Sequence, residues 1–373
     1  ENTKNEKEAL EAKCEKCKIQ IDRATKLTEG LAGEKKLWKK RAEDLQEDSK
    51  QITGDVLLSS GIIAYMGAFP LAYREECQAA WEALLDQFNI PKTPDFKLQN
   101  ILSDAVTIGN WTNKYKLPND SLSIDNAIIL NNSTRFPLMI DPQMQANRWI
   151  KELEKGPEKE KGRDGGQNRS RLLIIRPTQN VNEYALNLEL CISQGLPVLL
   201  ENIDENIDPI FDSLLAQKKI KQGGSWKLKF GDNFVDYSPD FRFYVTTKLP
   251  RPHYPPEVCV KVTLLNFTVT PEGLEDNMLN IVVKAEEPSM EEKRQNNIIE
   301  YFKNKDRQKQ TEDNILQTLS EASGNILDNE ELVETLKRSK FEAQEIENKL
   351  QEQKRDQEKF QVIRNFYQKV ARR

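Results

Sequence analysis

Histidine is almost absent: His253 is the only one in 373 residues. With no second imidazole, most His-based acid–base and nucleophilic catalysis is excluded. Cysteine is sparse as well. Cys14, Cys17, Cys77, Cys191 and Cys259 are an odd, scattered set, which fits a reducing cytoplasmic compartment and no disulfide framework. Cys14-x-x-Cys17 lacks a second ligand pair, so helix packing is expected there and no metal site. No apolar run approaches the length of a bilayer-spanning helix, and no secretory signal opens the chain. Charge of one sign is missing too. The 55 basic and 60 acidic side chains interleave to a net −5, leaving no nucleic-acid footprint and no anionic-membrane patch.

Glycine is lacking where it would matter most. The loop after the expected strand run Arg135-Phe136-Pro137-Leu138-Met139-Ile140 lies where a phosphate-binding loop belongs. Laid over G-x-x-x-x-G-K-[ST], Asp141 and Ala146 fall on the glycines, Asn147 on the lysine and Arg148 on the hydroxyl residue. A phosphate cradle needs glycines so that backbone N–H groups can converge on the anion. It also needs a lysine for the terminal phosphates and a hydroxyl for magnesium. Asp141 would repel phosphate and Pro142 has no N–H to offer. Val198-Leu199-Leu200 followed by Glu201-Asn202 matches a Walker B position, with Glu201 on the magnesium carboxylate and Asn202 where the water-activating glutamate belongs. An amide cannot take a proton from water, so no catalytic residue is expected. Thr246 and Thr247 fall at the polar sensor position. Arg251, in the Pro-rich loop behind them, is either a trans-acting arginine reaching a neighbour's phosphates or a surface residue. Lys261 is a lesser candidate of the same kind.

What is present is long helix at both ends and an α/β body between. Charged residues make up 31% and hydrophobic ones 37%, typical of a core with long solvated helices attached. The chain starts within one helical pattern and stops within another, so an excerpt of something longer is expected. Residues 1–53 carry a heptad seam through Leu10, Cys14, Cys17, Ile21, Ala24, Thr28, Leu31, Lys35, Trp38, Ala42, Leu45, Ser49 and Ile52, predicting one strand of a coiled coil. No antiparallel mate follows, so the mate is expected upstream. Thr28, Lys35 and Ser49 interrupt the seam, which makes it either a marginal coiled coil or a pair of helices able to slide between registers.

Residues 54–118 predict short packed helices with stops at Gly67–Pro70, Pro91 and Pro94. Residues 119–285 predict a mostly parallel sheet covered by helices on both faces. The expected strands are Ala127–Leu130, Pro137–Ile140, Leu172–Ile175, Pro197–Leu200, Phe241–Thr246 and Val262–Thr268. Helices are expected at Gln145–Leu153, Val181–Gln194 and Pro209–Leu215, an exposed insertion at Lys155–Arg171 and a small hairpin at Lys227–Val235. Residues 286–373 predict an antiparallel helical hairpin turning at Ser323-Gly324-Asn325.

Several runs resemble the dynein heavy chain family. Gly30-Leu31-Ala32-Gly33-Glu34-Lys35-Lys36-Leu37-Trp38 and Thr53–Phe69 look like the stalk helix returning to the motor. Pro137-Leu138-Met139-Ile140-Asp141-Pro142-Gln143 through Trp149-Ile150, Tyr237–Pro250, Pro252-His253-Tyr254 and Asn266–Leu274 are similar to the fifth AAA+ module. Ser323-Gly324-Asn325-Ile326-Leu327-Asp328 resembles the turn of the buttress hairpin that braces the stalk.

The resemblance implies an AAA+-type parallel-sheet module flanked by long coiled-coil helices, within a minus-end-directed, ATP-driven microtubule motor. It also implies a fifth module that is not a nucleotide site, with ATP and magnesium bound elsewhere in the parent motor. Implied partners are the opposite stalk strand and neighbouring AAA+ modules, the microtubule through the stalk tip, and dynein intermediate and light chains. The expected location is the cytoskeleton, in an axonemal rather than a cytoplasmic dynein. The Lys155–Arg171 insertion and the very polar first buttress arm depart from the family. Two rival readings stand beside it: a coiled-coil ATPase with its own active nucleotide site, and a passive coiled-coil scaffold.

Overall fold

The structure is a computed structural model, and it describes residues 2–155, 172–177, 181–231, 233–321 and 330–371. Most of the Lys155–Arg171 insertion and the Ser323–Asp328 turn lie outside the described residues. By internal contacts the chain divides into two compact units. One comprises Glu1–Lys50 with Val283–Tyr367, the other Gln51–Val282 with Gln368–Arg373.

Helix α1 is one element, Asn2–Gly61, followed by a π-helical turn at Ile62–Met66. The helix runs straight through Gly54, where the sequence pattern turns more apolar. Gly54 serves a close approach. Its N–H reaches Pro91 O at 3.2 Å, and a Cβ at this position would lie 2.4 Å from that oxygen. Beside it, Asp55 accepts from Thr93 N at 2.8 Å and from Thr93 Oγ1 at 2.6 Å. The helix then stops where expected, with Pro70 in extended conformation ahead of α2 (Leu71–Gln87). Two single-turn helices, α3 (Leu98–Leu102) and α4 (Ala105–Gly109), lead on to α5 (Ser121–Asn132).

The expected strand at Ala127–Leu130 is wrong: these residues are in α5. Asp120 caps that helix by accepting from Ser123 N at 3.1 Å, and Ala127, Ile128 and Ile129 are fully buried. A short apolar run shows no period when a helix is covered on most sides, so it reads equally as strand.

The other expected strands form one parallel sheet. They are β1 (Phe136–Ile140), β2 (Leu173–Ile175) and β3 (Val198–Leu200), with α6 (Gln145–Leu153) and α7 (Val181–Gln194) between them. A 3-10 turn at Pro209–Phe211 leads into α8 (Asp212–Leu215). The expected hairpin is a three-stranded antiparallel sheet, β4 (Lys219–Gln222), β5 (Ser225–Phe230) and β6 (Asn233–Asp236). Then come β7 (Phe243–Thr247), α9 (Pro256–Cys259), β8 (Val262–Asn266) and α10 (Pro271–Glu286).

The parallel order is β2-β3-β7-β1-β8, with Leu138 opposite Val245 and Leu264, and Leu200 opposite Val245. Pro137, which has no N–H to donate, pairs with Thr263 of β8, and the register with β7 begins one residue later at Leu138. Side chains alternate between two cores. Met139, Leu199, Tyr244 and Leu265 join Ile128, Trp149 and Phe267 on one face. Leu138, Val198, Leu200, Phe243 and Val245 join Leu188, Ile192 and Phe211 on the other.

In the other unit, α11 (Pro288–Glu321) and α12 (Glu330–Ala371) are antiparallel. Near the open end Arg364 Nη1 lies 3.7 Å from the buried Glu291, and farther along Asn304 donates to Gln353 at 3.2 Å. Arg41 of α1 meets Glu312 of α11 at 3.0 Å. Within this chain the seam positions Cys14, Cys17, Ile21, Leu45 and Ile52 are exposed and Trp38 is half-buried. The packing expected for Cys14 and Cys17 is therefore not supplied by the described residues, whose cysteines are all free thiols. The side chain of Leu31 is outside the described set.

Candidate functional site

In an open parallel sheet the crevice beyond the carboxyl ends of the strands, where the order switches, is the usual ligand position. Here β1 lies between β7 and β8, so Asp141 after β1, Glu201 after β3 and Thr246–Thr247 at the end of β7 converge. The turn into α6 is made without glycine: Met144 adopts the left-handed conformation at φ 59° and gives no side-chain cap.

The cap comes from Asp141, which is buried. Its Oδ1 accepts from Gln145 N at 2.7 Å and its Oδ2 from Asn147 N at 2.8 Å. Its own N–H binds Thr247 O at 2.9 Å, fixing the loop to β7. Burial pushes the Asp141 carboxyl above its usual range, and the amides of Asn147, Gln145 and Ala146 and the Arg148 charge only partly reverse this.

Asn147 also donates from Nδ2 to Glu201 Oε1 at 3.0 Å. Lys151 Nζ lies 2.7 Å from the same oxygen, and Arg176 Nε lies 3.3 Å from Oε2. Glu201 is 2% exposed. Burial alone would raise its carboxyl, but Lys151, Asn147 and Arg176 outweigh burial and hold it below the usual range. The sequence reading missed Lys151 and Arg176, although both left a signal. Lys151 stands four residues after Asn147 on one helix face, and Arg176 follows β2 as Glu201 follows the paired β3.

The remaining candidates lie apart from this cluster. Ala146 is buried, and Arg148 points outward and is exposed. Asn202, at φ 57°, turns its N–H to Thr246 Oγ1 at 3.2 Å, while Thr247 Oγ1 donates to Ile203 O at 2.7 Å. The two threonines thus serve the backbone of the Glu201 loop. Arg251 is exposed, and Lys261 is held by Asp212 at 2.9 Å. Among the described residues no group of three or more His, Cys, Asp or Glu side chains could hold a metal ion.

Residues 109–346 match the family model for the ATP-binding dynein motor region, and residues 1–91 that for the microtubule-binding stalk of dynein motor. The chain is 44% identical over 304 residues to human dynein axonemal heavy chain 3, a match covering 82% of this chain and 7% of that protein. It is 41% identical over 293 residues to human dynein axonemal heavy chain 1, covering 79% and 6%, and 41% over 290 residues to human dynein axonemal heavy chain 6, covering 78% and 7%. The chain therefore spans only a small part of the length of these relatives. Since one model matches well over half of the chain, this polypeptide belongs to the ATP-binding dynein motor region family.

Proposed function

We propose that this segment relays conformational change between a ring of AAA+ modules and a microtubule-binding stalk tip, and hydrolyses no ATP itself. Its parts are a returning stalk strand (residues 1–53), a helical base (54–118), a degenerate AAA+ module (119–285) and a buttress hairpin (286–373). The motor to which it belongs is a minus-end-directed microtubule ATPase. Its location is the axoneme, supported by the axonemal dyneins it is similar to. Neighbouring modules and the opposite stalk strand are its partners within the heavy chain, and intermediate and light chains its partners outside. ATP and magnesium belong to other modules of the parent.

The residues at the β1–α6 loop do not fit a nucleotide. The amides that would hold phosphate are spent on Asp141, and Glu201, which would hold magnesium, is spent on Asn147, Lys151 and Arg176. No step of catalysis is therefore assigned to this module.

The observation that carries the relay is the Arg41–Glu312 ion pair, which joins the stalk helix to the buttress across 271 residues of sequence. Both side chains keep substantial exposure. Such a pair stabilises by only about 0.2–1 kcal/mol, so it can break and re-form as the stalk helix shifts. The test is charge reversal in the full heavy chain. Arg41→Glu or Glu312→Arg should shrink the nucleotide-dependent change in microtubule affinity by about two- to fivefold, and the double exchange should restore it. Unchanged coupling in both single variants overturns the relay and favours a passive scaffold.

A further inference from the structure

We infer that Asp141 is a resident anion: its carboxylate stands where a phosphate would stand and fixes α6 against β1 without any ligand. The inference rests on the reading of this module as one that binds no nucleotide. A helix N-terminus attracts negative charge because its first N–H groups are unpaired and its dipole is positive there. In α6 those donors are taken by a carboxylate of the same chain, at 2.7 and 2.8 Å.

This differs from ordinary capping in where the acceptor comes from. The residue at the cap position, Met144, contributes no side-chain bond. The oxygen atoms come from three residues earlier, directly after β1, so the bond ties helix to sheet and not helix to itself. Asp141 is 1% exposed, and a carboxylate so buried must be matched by donors.

Asn147 extends the device. Its backbone N–H serves Asp141 and its side-chain amide serves Glu201, so one residue joins both carboxylates. A lysine here would bring charge to Glu201, but that charge already comes from Lys151 and Arg176. Asp141 is thus a positioning residue that fixes α6 against β1 with no bound anion.

The test is hydrogen exchange at the α6 amides in the full heavy chain, with inorganic phosphate as the probe. Asp141→Ala should speed exchange at Gln145 and Asn147 by about tenfold or more, and millimolar phosphate should slow it again. Wild-type α6 should not respond to phosphate. Asp141→Asn keeps the shape, guards against a variant that fails to fold, and should exchange about threefold faster or more. Wild-type exchange rates in both variants, a phosphate response in wild type, or no rescue of Asp141→Ala would each overturn the inference. Slowing of wild-type α6 by magnesium-ATP would overturn the underlying non-nucleotide reading itself, a result distinct from the other three.

Discussion

Arg74 Nη2 lies 2.6 Å from Asn126 Oδ1, and Asn126 Nδ2 in turn lies 2.7 Å from the carbonyl oxygen of Asn266. The same guanidinium binds Gly67 O at 2.8 Å and, through Nε, Phe69 O at 2.9 Å. Asn266 closes the circuit by donating its N–H to Gly67 O at 2.9 Å. One buried side chain from α2 therefore ties the break after Met66 to α5 and to the end of β8, the neighbour of β1. Burial draws Arg74 down to about 10, with Asp125 pulling it back up, so it stays charged at neutral pH. Arg74→Leu takes the guanidinium donor from Asn126 Oδ1, Phe69 O and Gly67 O, of which Gly67 O keeps the Asn266 N–H, and should cost about 2–4 kcal/mol of stability, measured by denaturant unfolding of the heavy-chain motor. Arg74→Lys, with no planar fork, should recover only part of that.

Asp125, beside that circuit, gives a pH signature. Burial raises its carboxyl to about 6, Arg74 and Gln99 pull it down and Asp120 pushes it up. A carboxyl that holds its proton more tightly folded than unfolded contributes stability at low pH. That contribution is lost as pH rises from its ordinary 3.8 to about 6 and is flat above. Asp125→Asn should remove this slope, worth about 3 kcal/mol across the window, from the curve of stability against pH. The difference between wild-type and variant curves isolates it from Glu201 and Glu291, whose lowered carboxyls act in the opposite direction as pH falls. Parallel curves would show that Asp125 titrates alike folded and unfolded.

Gly54 tests the fastening of α1 to its base. Glycine in a helix interior is costly and reads as a boundary, but here its missing Cβ admits the Pro91 carbonyl. Gly54→Ala should improve helix propensity and still destabilise by about 1–3 kcal/mol, because backbone must move. A stabilised variant would mean that the Pro91 loop yields freely.

Which parts were legible follows from period and burial. Strands such as Phe136–Ile140 and the helices α6 and α7 were readable because apolar runs were bounded by turn residues. Ala127–Leu130 was not, since Ile128 and Ile129 sit in a helix buried on most sides and carry no period. The reason for Gly54 was not legible either, because the carbonyl it admits belongs to Pro91, 37 positions away and invisible locally. At the site, the substitutions at 141, 146 and 147 stood out against the P-loop pattern. What could not be read was their mutual arrangement, above all that Asp141 serves the helix it was expected only to defend from phosphate. Arg74 gave no signal at all, as a lone arginine in an amphipathic helix looks like surface.

The last prediction concerns restoring a P-loop lysine. Asn147→Lys puts back the residue whose absence first marked the loop, and a pattern-based view expects some gain of nucleotide affinity. The geometry predicts the reverse. Asp141 would still occupy the α6 amides, and the new ammonium would lie beside Glu201, where Lys151 and Arg176 already supply positive charge. The variant should show no ATP binding at this module by fluorescent-nucleotide titration and should lose about 1–2 kcal/mol through the missing Asn147–Glu201 bond. Adding Glu201→Gln should not rescue binding, because the phosphate position remains filled. Only a variant that also removes the Asp141 carboxylate should take up anions; nucleotide binding by Asn147→Lys alone would mean that Asp141 yields its place readily.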